Sequence, residues 1–457
     1  MSSNHLSTLS AKPQTNSYTF DLLGQLSVDI ELTGNPYLLP LDRLFQMAAR
    51  INKKRSFLFV STVLGKHIPV DPSLALLTGQ ALAARYMEVV EAKTHPERDQ
   101  ILAGLMGGQV KKSEYRHSLA EPALFIGFAE TATALGHAVF ENFRNAAFFH
   151  TTREQVSEMT SIINFEEEHS HATSHRCYID EKLFDNTRPI VLVDDEVTTG
   201  KTALNIIESI QEKFPRGEYT VVSILDWRSE EDQKRFRDTE KRLGIVIHEV
   251  SLVTGLITAN GDPVAESKSR SESLFSRDAK VTQIVISPEE GDLTSCASEQ
   301  LSSPYVTHTG RFGLTDAEQL EADIYCLKAA ARLRDARKGK RTLCLGTGEF
   351  MYIPMKTASY MGDGIFYQST TRSPIHPVSR EDYAVKSAFP FPNPEDGETA
   401  NFFYNITEGQ YDEVFVFFER SVPEERLQPM LNQLKSVIPV IHFVFFSTNQ
   451  KGSASDE

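Results

Sequence analysis

The sequence predicts a two-domain α/β protein, each domain built on a parallel sheet. Three observations predict it. The chain has 457 residues, more than one hydrophobic core usually organises. Short apolar runs alternate with stretches of helical periodicity, the pattern of strands joined by helical crossovers. That alternation stops near residue 260, in a stretch rich in Ser, Glu, Gly and Asp, and starts again after residue 305.

In chain order, residues 1–18 form a polar, disordered lead without the charged and apolar regions of a signal peptide. The first domain spans 19–260. "TFDLLGQLSVDIEL" alternates as strands do, and "FLFVST" and "EPALFIGFAE" are short apolar runs ending in polar loops. Residues 130–143 read as a helix. "RPIVLVDDE" is continuously apolar up to its aspartates, as a strand buried on both faces is. Ala203, Ile206, Ile207, Ile210 and Phe214 follow at helical spacing. "YTVVSILDW", a charged helix over 229–243 and "IVIHEVSLVTGLI" complete the domain. Residues 261–305 are the linker, with one strand-like piece, "VTQIVIS". In the second domain, 306–447, "DAEQLEADIYCLKAAARLRDARKGK" is a helix with Asp316 and Glu318 near its start and basic residues at its end. "TLCLGTGEF" is a strand and glycine loop. "DEVFVFFER", "PEERLQPMLNQLKSV" and "IPVIHFVFFS" read as strand, helix, strand. Residues 448–457 are a frayed tail.

Hydrophobic residues make up 40% of the chain and charged residues 24%, and the net charge is −15. That balance opposes non-specific nucleic-acid binding, which needs a basic footprint. An anionic substrate has to be met by local positive charge. The four cysteines, Cys177, Cys296, Cys326 and Cys344, show no C-x-x-C pairing. With no apolar run near the ~18 residues of a membrane span, a reducing cytoplasm without membrane attachment is expected.

The informative string is "VLVDDEVTTGKT", residues 191–202. An NTP-binding P-loop, G-x-x-x-x-G-K-[ST], would need glycine where Asp195 stands. The string does offer two carboxylates at a strand end, which accept from ribose hydroxyls. It also places Thr198, Thr199, Gly200, Lys201 and Thr202 at a helix start, where a phosphate is held by N–H groups and hydroxyls. The bland alternative is a strand with an Asp cap. Position by position the string resembles the phosphoribosyl pyrophosphate (PRPP) motif of type I phosphoribosyltransferases. The resemblance makes Asp194 and Asp195 the ribose ligands and 198–202 the 5′-phosphate loop.

The same resemblance implies a pyrophosphate loop after an earlier strand, and Gly127, Phe128, Ala129, Glu130 and Thr131 are in place for it. It further implies a mobile loop closing over the pyrophosphate. "NFEEEHSHATSHR" lies there, and Glu168, His169 and His171 are its candidate catalytic groups, since histidine moves protons near neutral pH. A transition-metal site and a solvated polar loop are the other readings of that segment. Lys66 and His67, in a basic stretch, and Asp226, Trp227 and Arg228, at a strand end, are candidate substrate-binding residues. Trp227 either stacks on a base or belongs to the core.

In the second half, "LGTGEFMYIP" lacks the third glycine of a dinucleotide fingerprint. That string carries Gly346, Gly348 and Glu349; about 22 residues after Gly348, Thr370, Thr371, Arg372 and Ser373 before Pro374 of "QSTTRSPIHP" form either an anion clamp or a turn with a surface arginine. Together with "GFAETATALG" and "EEHSHAT", these strings resemble a bacterial phosphoribosyltransferase fused to a C-terminal TRSP domain, over nearly the whole chain. The resemblance implies a type I phosphoribosyltransferase-like parallel sheet followed by a Rossmann-like TRSP domain. It implies a Mg²⁺-requiring transfer of ribose 5-phosphate from PRPP to a small base-like acceptor, the Mg²⁺ held mainly through PRPP. It also implies a setting beside tellurium-resistance and stress-response genes, with partner enzymes building a nucleoside-like metabolite. A PRPP-sensing regulator or scaffold without turnover, a nucleic-acid-binding C-terminal domain, and an oligomeric assembly stay open from the sequence.

Overall fold

The computed structural model describes residues 16–51, 56–156, 159–166, 174–263, 278–286 and 305–447. The first half runs β1 (Ser17–Asp21), β2 (Ser27–Gly34), β3 (Phe45–Ala49), β4 (Phe57–Ser61), α1 (Pro72–Val90) and α2 (Arg98–Leu105). It continues with β5 (His117–Gly127), α3 (Ala132–Phe140), β6 (Phe143–His150), β7 (Ile163–Glu166) and β8 (Ser174–Cys177). Then come β9 (Ile190–Val197), α4 (Lys201–Lys213), β10 (Glu218–Asp226), α5 (Glu230–Leu243) and β11 (Val246–Asn260).

Among the described residues, one sheet has the order β1-β2-β11-β10-β9-β5-β6, closed at its far edge by a strand from the second half, Leu314–Thr315. From β11 to β6 all pairings are parallel. β9 is apolar from Ile190 to Val193 because it is buried on both faces. α5 starts where the sequence dictates, in a capping box between Ser229 and Asp232. The chain leaves β5 for β6 on one side, while β9, β10 and β11 extend the other. The switch point therefore lies between β5 and β9, where open parallel sheets bind ligands beyond the strands' carboxyl ends.

The second half contains β12 (Lys280–Val285), β13 (Leu314–Thr315), α6 (Glu318–Ala336), β14 (Thr342–Gly346), α7 (Tyr352–Ser359) and β15 (Ile365–Ser369). β16 (Ala388–Pro392), β17 (Ala400–Tyr404), β18 (Glu413–Phe418), α8 (Glu424–Lys435) and β19 (Val440–Phe445) follow. Its sheet is parallel, in the order β12-β19-β18-β14-β15. Lys280–Val285, which includes most of the "VTQIVIS" read from sequence as a piece of the linker, is thus the edge strand of the second sheet.

The halves are joined by backbone as well as side chains. Val70 and Tyr367 exchange both backbone hydrogen bonds (2.9 and 2.8 Å), and Ser369 N–H donates to the Gly65 carbonyl at 2.7 Å. Ile51 N–H donates to the Pro374 carbonyl at 3.1 Å. The buried Lys356 of α7 forms ion pairs with Glu141, after α3, and with Asp323 of α6. Burial alone would raise the Glu141 pKa, but Lys112 and Lys356 hold it down at about 2. No helix among the described residues is long and apolar enough to cross a membrane.

Candidate active site

Two loops flank the switch point of the first sheet. β9 ends in Asp194, Asp195 and Glu196, and Thr198, Thr199 and Gly200 turn the chain into α4. Gly200 has φ +72°, and a Cβ there would lie 2.4 Å from the Phe236 ring and 3.1 Å from Arg228 Cδ. Only glycine fits that turn. Arg228 supports it from beneath. Its guanidinium pairs with both Asp226 oxygens (Nε–Oδ1 2.9 Å, Nη2–Oδ2 2.6 Å), reaches Glu249 at 2.7 Å, and stands 4.2 Å over the Phe236 ring.

The other loop, Phe128–Thr131, follows β5, and its Ala129–Glu130 peptide is cis. Ala129 N–H donates to Thr151 Oγ1 (2.9 Å), and that hydroxyl is hydrogen-bonded to His175 Nδ1 (2.8 Å). The Glu130 carboxylate collects three cations: Lys66 in an ion pair, Arg153 at 3.5 Å and Arg372 at 3.9 Å. Burial pulls the Lys66 pKa below its usual value against the opposing pull of Glu130. Beside it, His67 is buried and neither ring nitrogen has a hydrogen-bond partner among the described residues. Desolvation, with Lys66 and Arg50 nearby, pushes its pKa down to about 3, so the imidazole is neutral.

The third wall comes from the second half. Thr371, Arg372 and Ser373 are held by their backbone: Thr371 and Phe402 exchange hydrogen bonds (2.9 and 2.8 Å), and Thr370 N–H donates to the Gly346 carbonyl (2.9 Å). Tyr404 Oη donates to the Ser373 carbonyl at 2.6 Å, and Gly348 N–H donates to Thr370 Oγ1 at 3.0 Å. These three walls enclose a cavity of about 260 Å³, lined by both loops, by Lys66, His67 and Arg153, and by Thr371–Ser373. Arg50, Leu58, Phe59 and Ser61 of the β3–β4 hairpin region also line it.

Residues 44–256 match a family model described as phosphoribosyl transferase, and residues 308–434 match the TRSP domain that stands C-terminal to it. The chain is a phosphoribosyl transferase domain followed by a TRSP domain. Among solved structures it is similar to adenine phosphoribosyl transferase from Trypanosoma brucei, with 12% identity over 53% of this chain and 90% of that one, at a TM-score of 0.32. The Rhodothermus marinus enzyme gives 13% identity, 46% and 95% coverage and a TM-score of 0.26. The Giardia lamblia enzyme gives 13%, 46% and 94%, and 0.28. No curated protein matches the chain in sequence.

The phosphoribosyl transferase domain brings together most of the residues read from sequence. Asp194, Asp195, Thr198, Thr199, Gly200, Thr202, Phe128, Ala129, Glu130, Thr131, Lys66 and His67 all line the cavity, and the TRSP domain adds Thr371, Arg372 and Ser373. Several sit elsewhere. Lys201 is exposed and outside the lining. Gly127 is a packing residue, since a Cβ there would lie 2.4 Å from the Ala132 carbonyl oxygen. Trp227 is 2% exposed and stacks on Phe59 (centroids 5.1 Å apart, 24°), with Phe45 edge-on at 6.0 Å. It is a core residue, and Asp226 and Arg228 brace the turn at Gly200; none of the three lines the cavity, against the substrate-binding expectation. Glu349 is likewise a brace. It accepts from Thr152 Oγ1 and Arg153 N–H (2.8 Å) and pairs with Arg311 at 3.2 Å. Burial would raise its pKa, yet Arg311 foremost and the Arg153 N–H hold it at about 2. Gly346 and Pro374 serve the frame, through their carbonyls. Glu168, His169 and His171 lie outside the described residues. Arg50, Ser61 and Arg153 were missed, although Arg153 follows β6, at the carboxyl end where such sheets bind ligands.

Proposed function

We propose that this cavity binds PRPP and transfers its ribosyl 5-phosphate to a small base-like acceptor, releasing pyrophosphate. The observation that carries the reading is the convergence of the β9–α4 loop, the β5–α3 loop and the TRSP loop on one cavity. In it the 5′-phosphate takes the N–H groups and hydroxyls of Thr198–Thr202 at the start of α4. Asp194 and Asp195 accept from the ribose hydroxyls. The pyrophosphate lies on Phe128–Thr131, with Lys66, Arg153 and Arg372 neutralising its charge. As the C1–O bond breaks, its electron pair leaves with the pyrophosphate, and the acceptor atom bonds to C1 from the opposite face.

The acceptor side is the β3–β4 region. There Leu58 and Phe59 offer apolar area, and the neutral His67 offers both a donor and an acceptor to a heterocycle edge. Mg²⁺, held mainly through the oxygens of PRPP itself, would offset pyrophosphate charge; no group of three or more acidic, histidine or cysteine side chains able to hold a metal occurs among the described residues. Glu168, His169 and His171, in the connection between β7 and β8, are assigned to closing over the pyrophosphate and moving a proton. Synthesis of a nucleoside-like metabolite in a cytoplasmic stress-response pathway, beside other enzymes, is the setting proposed with it.

The test is incubation with labelled PRPP, Mg²⁺ and a panel of bases, following pyrophosphate. Acceptor-dependent release supports the reading, and its absence across a broad panel counts against a base-like acceptor.

A further inference from the structure

A second, larger cavity, about 660 Å³, lies between the TRSP domain and residues 153–155 of the first domain. Its walls follow the carboxyl ends of three parallel strands: Gly348 and Glu349 after β14, Arg372 after β15, and Glu419–Pro423 after β18. β15 lies on one side of β14 and β18 on the other. This is the switch point of the second sheet, the place where open parallel sheets bind ligands, and the volume is that of a small-molecule pocket.

The charges differ in how far they are satisfied. Arg311 is neutralised by Glu349 at 3.2 Å, Glu154 at 3.2 Å and Glu419 at 2.9 Å, and Arg420 by Glu154 at 2.8 Å. Arg426 is different. Among the described residues it is in no ion pair, and its Nη1 donates to the Glu395 backbone carbonyl at 2.8 Å. Arg372 meets Glu130 only at 3.9 Å. α8, twelve residues long, begins at this rim with Glu424 and Glu425 in its first turn, so Arg372 and Arg426 supply the positive charge on this side. At Gly348, φ +53°, a Cβ would meet nothing within 4 Å, so the lip is open to a ligand. Burial raises the Glu395 pKa to about 7, against the pull of Arg420, which lessens its repulsion of an anion at neutral pH.

We propose that this cavity is a second ligand site, for a phosphorylated small molecule of nucleotide size whose phosphate lies between Arg372 and Arg426. Arg153 and Arg372 line both cavities, so the two ligands draw on the same guanidiniums and antagonise each other. The second site stands on its own geometry; only the antagonism rests on the placing of PRPP in the first.

Calorimetric titration of the full chain with AMP, and separately with ribose 5-phosphate, tests it, using the parent, Asp194→Asn/Asp195→Asn, Arg426→Ala and Ser421→Trp. Ser421 is on the exposed rim, and the tryptophan fills the cavity without removing a charge. At least one probe should bind the parent at two sites. The double aspartate variant should keep one of them, while Arg426→Ala weakens that same site about tenfold, the loss of one charge-assisted hydrogen bond, and Ser421→Trp abolishes it. In the parent, PRPP should weaken the probe's binding at that second site. Preference for AMP identifies a nucleotide and equal binding a sugar phosphate. A single site in the parent for both probes, insensitive to Arg426→Ala and Ser421→Trp, overturns the proposal. A PRPP affinity unmoved by the aspartate changes counts against the first-site reading alone.

Discussion

Arg372 of the TRSP domain places its Nε 3.9 Å from Glu130 Oε2 on the loop after β5, sharing that carboxylate with Lys66 and Arg153. The cavity at the switch point of the first sheet therefore has a wall that belongs to the second domain. Its position is fixed by backbone hydrogen bonds from Thr371 to Phe402 and from Ile51 to Pro374.

Arg372→Ala should leave the fold intact, since the side chain is about one-third exposed and its loop is held by backbone. It should lower kcat/KM for PRPP by roughly 10- to 100-fold, the worth of a charge-assisted contact to phosphate. Arg372→Lys should restore only part of this, because a lysine lacks the planar fork. Steady-state kinetics beside thermal melting checks both, and unchanged kcat/KM in Arg372→Ala would remove the TRSP domain from the reaction.

Gly200→Val should cost both binding and stability. The added side chain enters the left-handed region and meets Phe236 and Arg228 Cδ. A loss of about 1–3 kcal/mol is expected from strain and overpacking, together with loss of PRPP affinity. Denaturant unfolding and calorimetry measure the two, and a variant as stable as the parent would contradict the tight turn.

His67 gives a pH dependence of known sign. Its folded-state pKa, about 3, lies below the ordinary 6.5, so the unfolded chain binds the extra proton first. The stability it contributes is full above pH 6.5 and is lost as pH falls from there toward 3. His67→Asn should make that acid slope shallower. His137 and His150 contribute slopes of the same sign, so the readout is the difference between variant and parent across that window.

His169→Ala and His171→Ala should bind PRPP nearly as the parent does, while at least one loses about 10²-fold in turnover, a general acid–base effect. Pre-steady-state pyrophosphate release beside equilibrium binding separates this from a ground-state role. Loss of a bound transition metal in either variant would favour the metal reading instead.

The sequence made the site loops legible because their chemistry is local. A strand that ends in Asp194 and Asp195 and turns at Gly200 is readable within twelve residues, and its loop lines one cavity. Trp227 could not be placed that way. Whether it faces a ligand or the core depends on Phe45 and Phe59, which are 182 and 168 positions earlier in the chain. α1 escaped notice for a related reason: it is buried on most of its surface, against the sheet, α3 and α7, and carries no polar stripe to mark its period. Arg153 and Arg50 lack any motif, and their role emerges only when the parallel order of β5 and β6 and the β3–β4 hairpin bring them to one cavity. Of the anion clamp expected at 370–373, Thr371, Arg372 and Ser373 line the first cavity, while Glu349 of the neighbouring "LGTGEF" string braces the Thr152–Arg153 segment.

The most direct measurement is PRPP binding by calorimetry, together with pyrophosphate release, in the parent and in Asp194→Asn/Asp195→Asn. The double variant should fold, because both side chains sit at a strand end and are only partly buried. It should lose about 3 kcal/mol or more of PRPP affinity, the worth of two charge-assisted hydrogen bonds, with pyrophosphate release falling in step. A folded double variant that binds PRPP and releases pyrophosphate as the parent does would contradict the account.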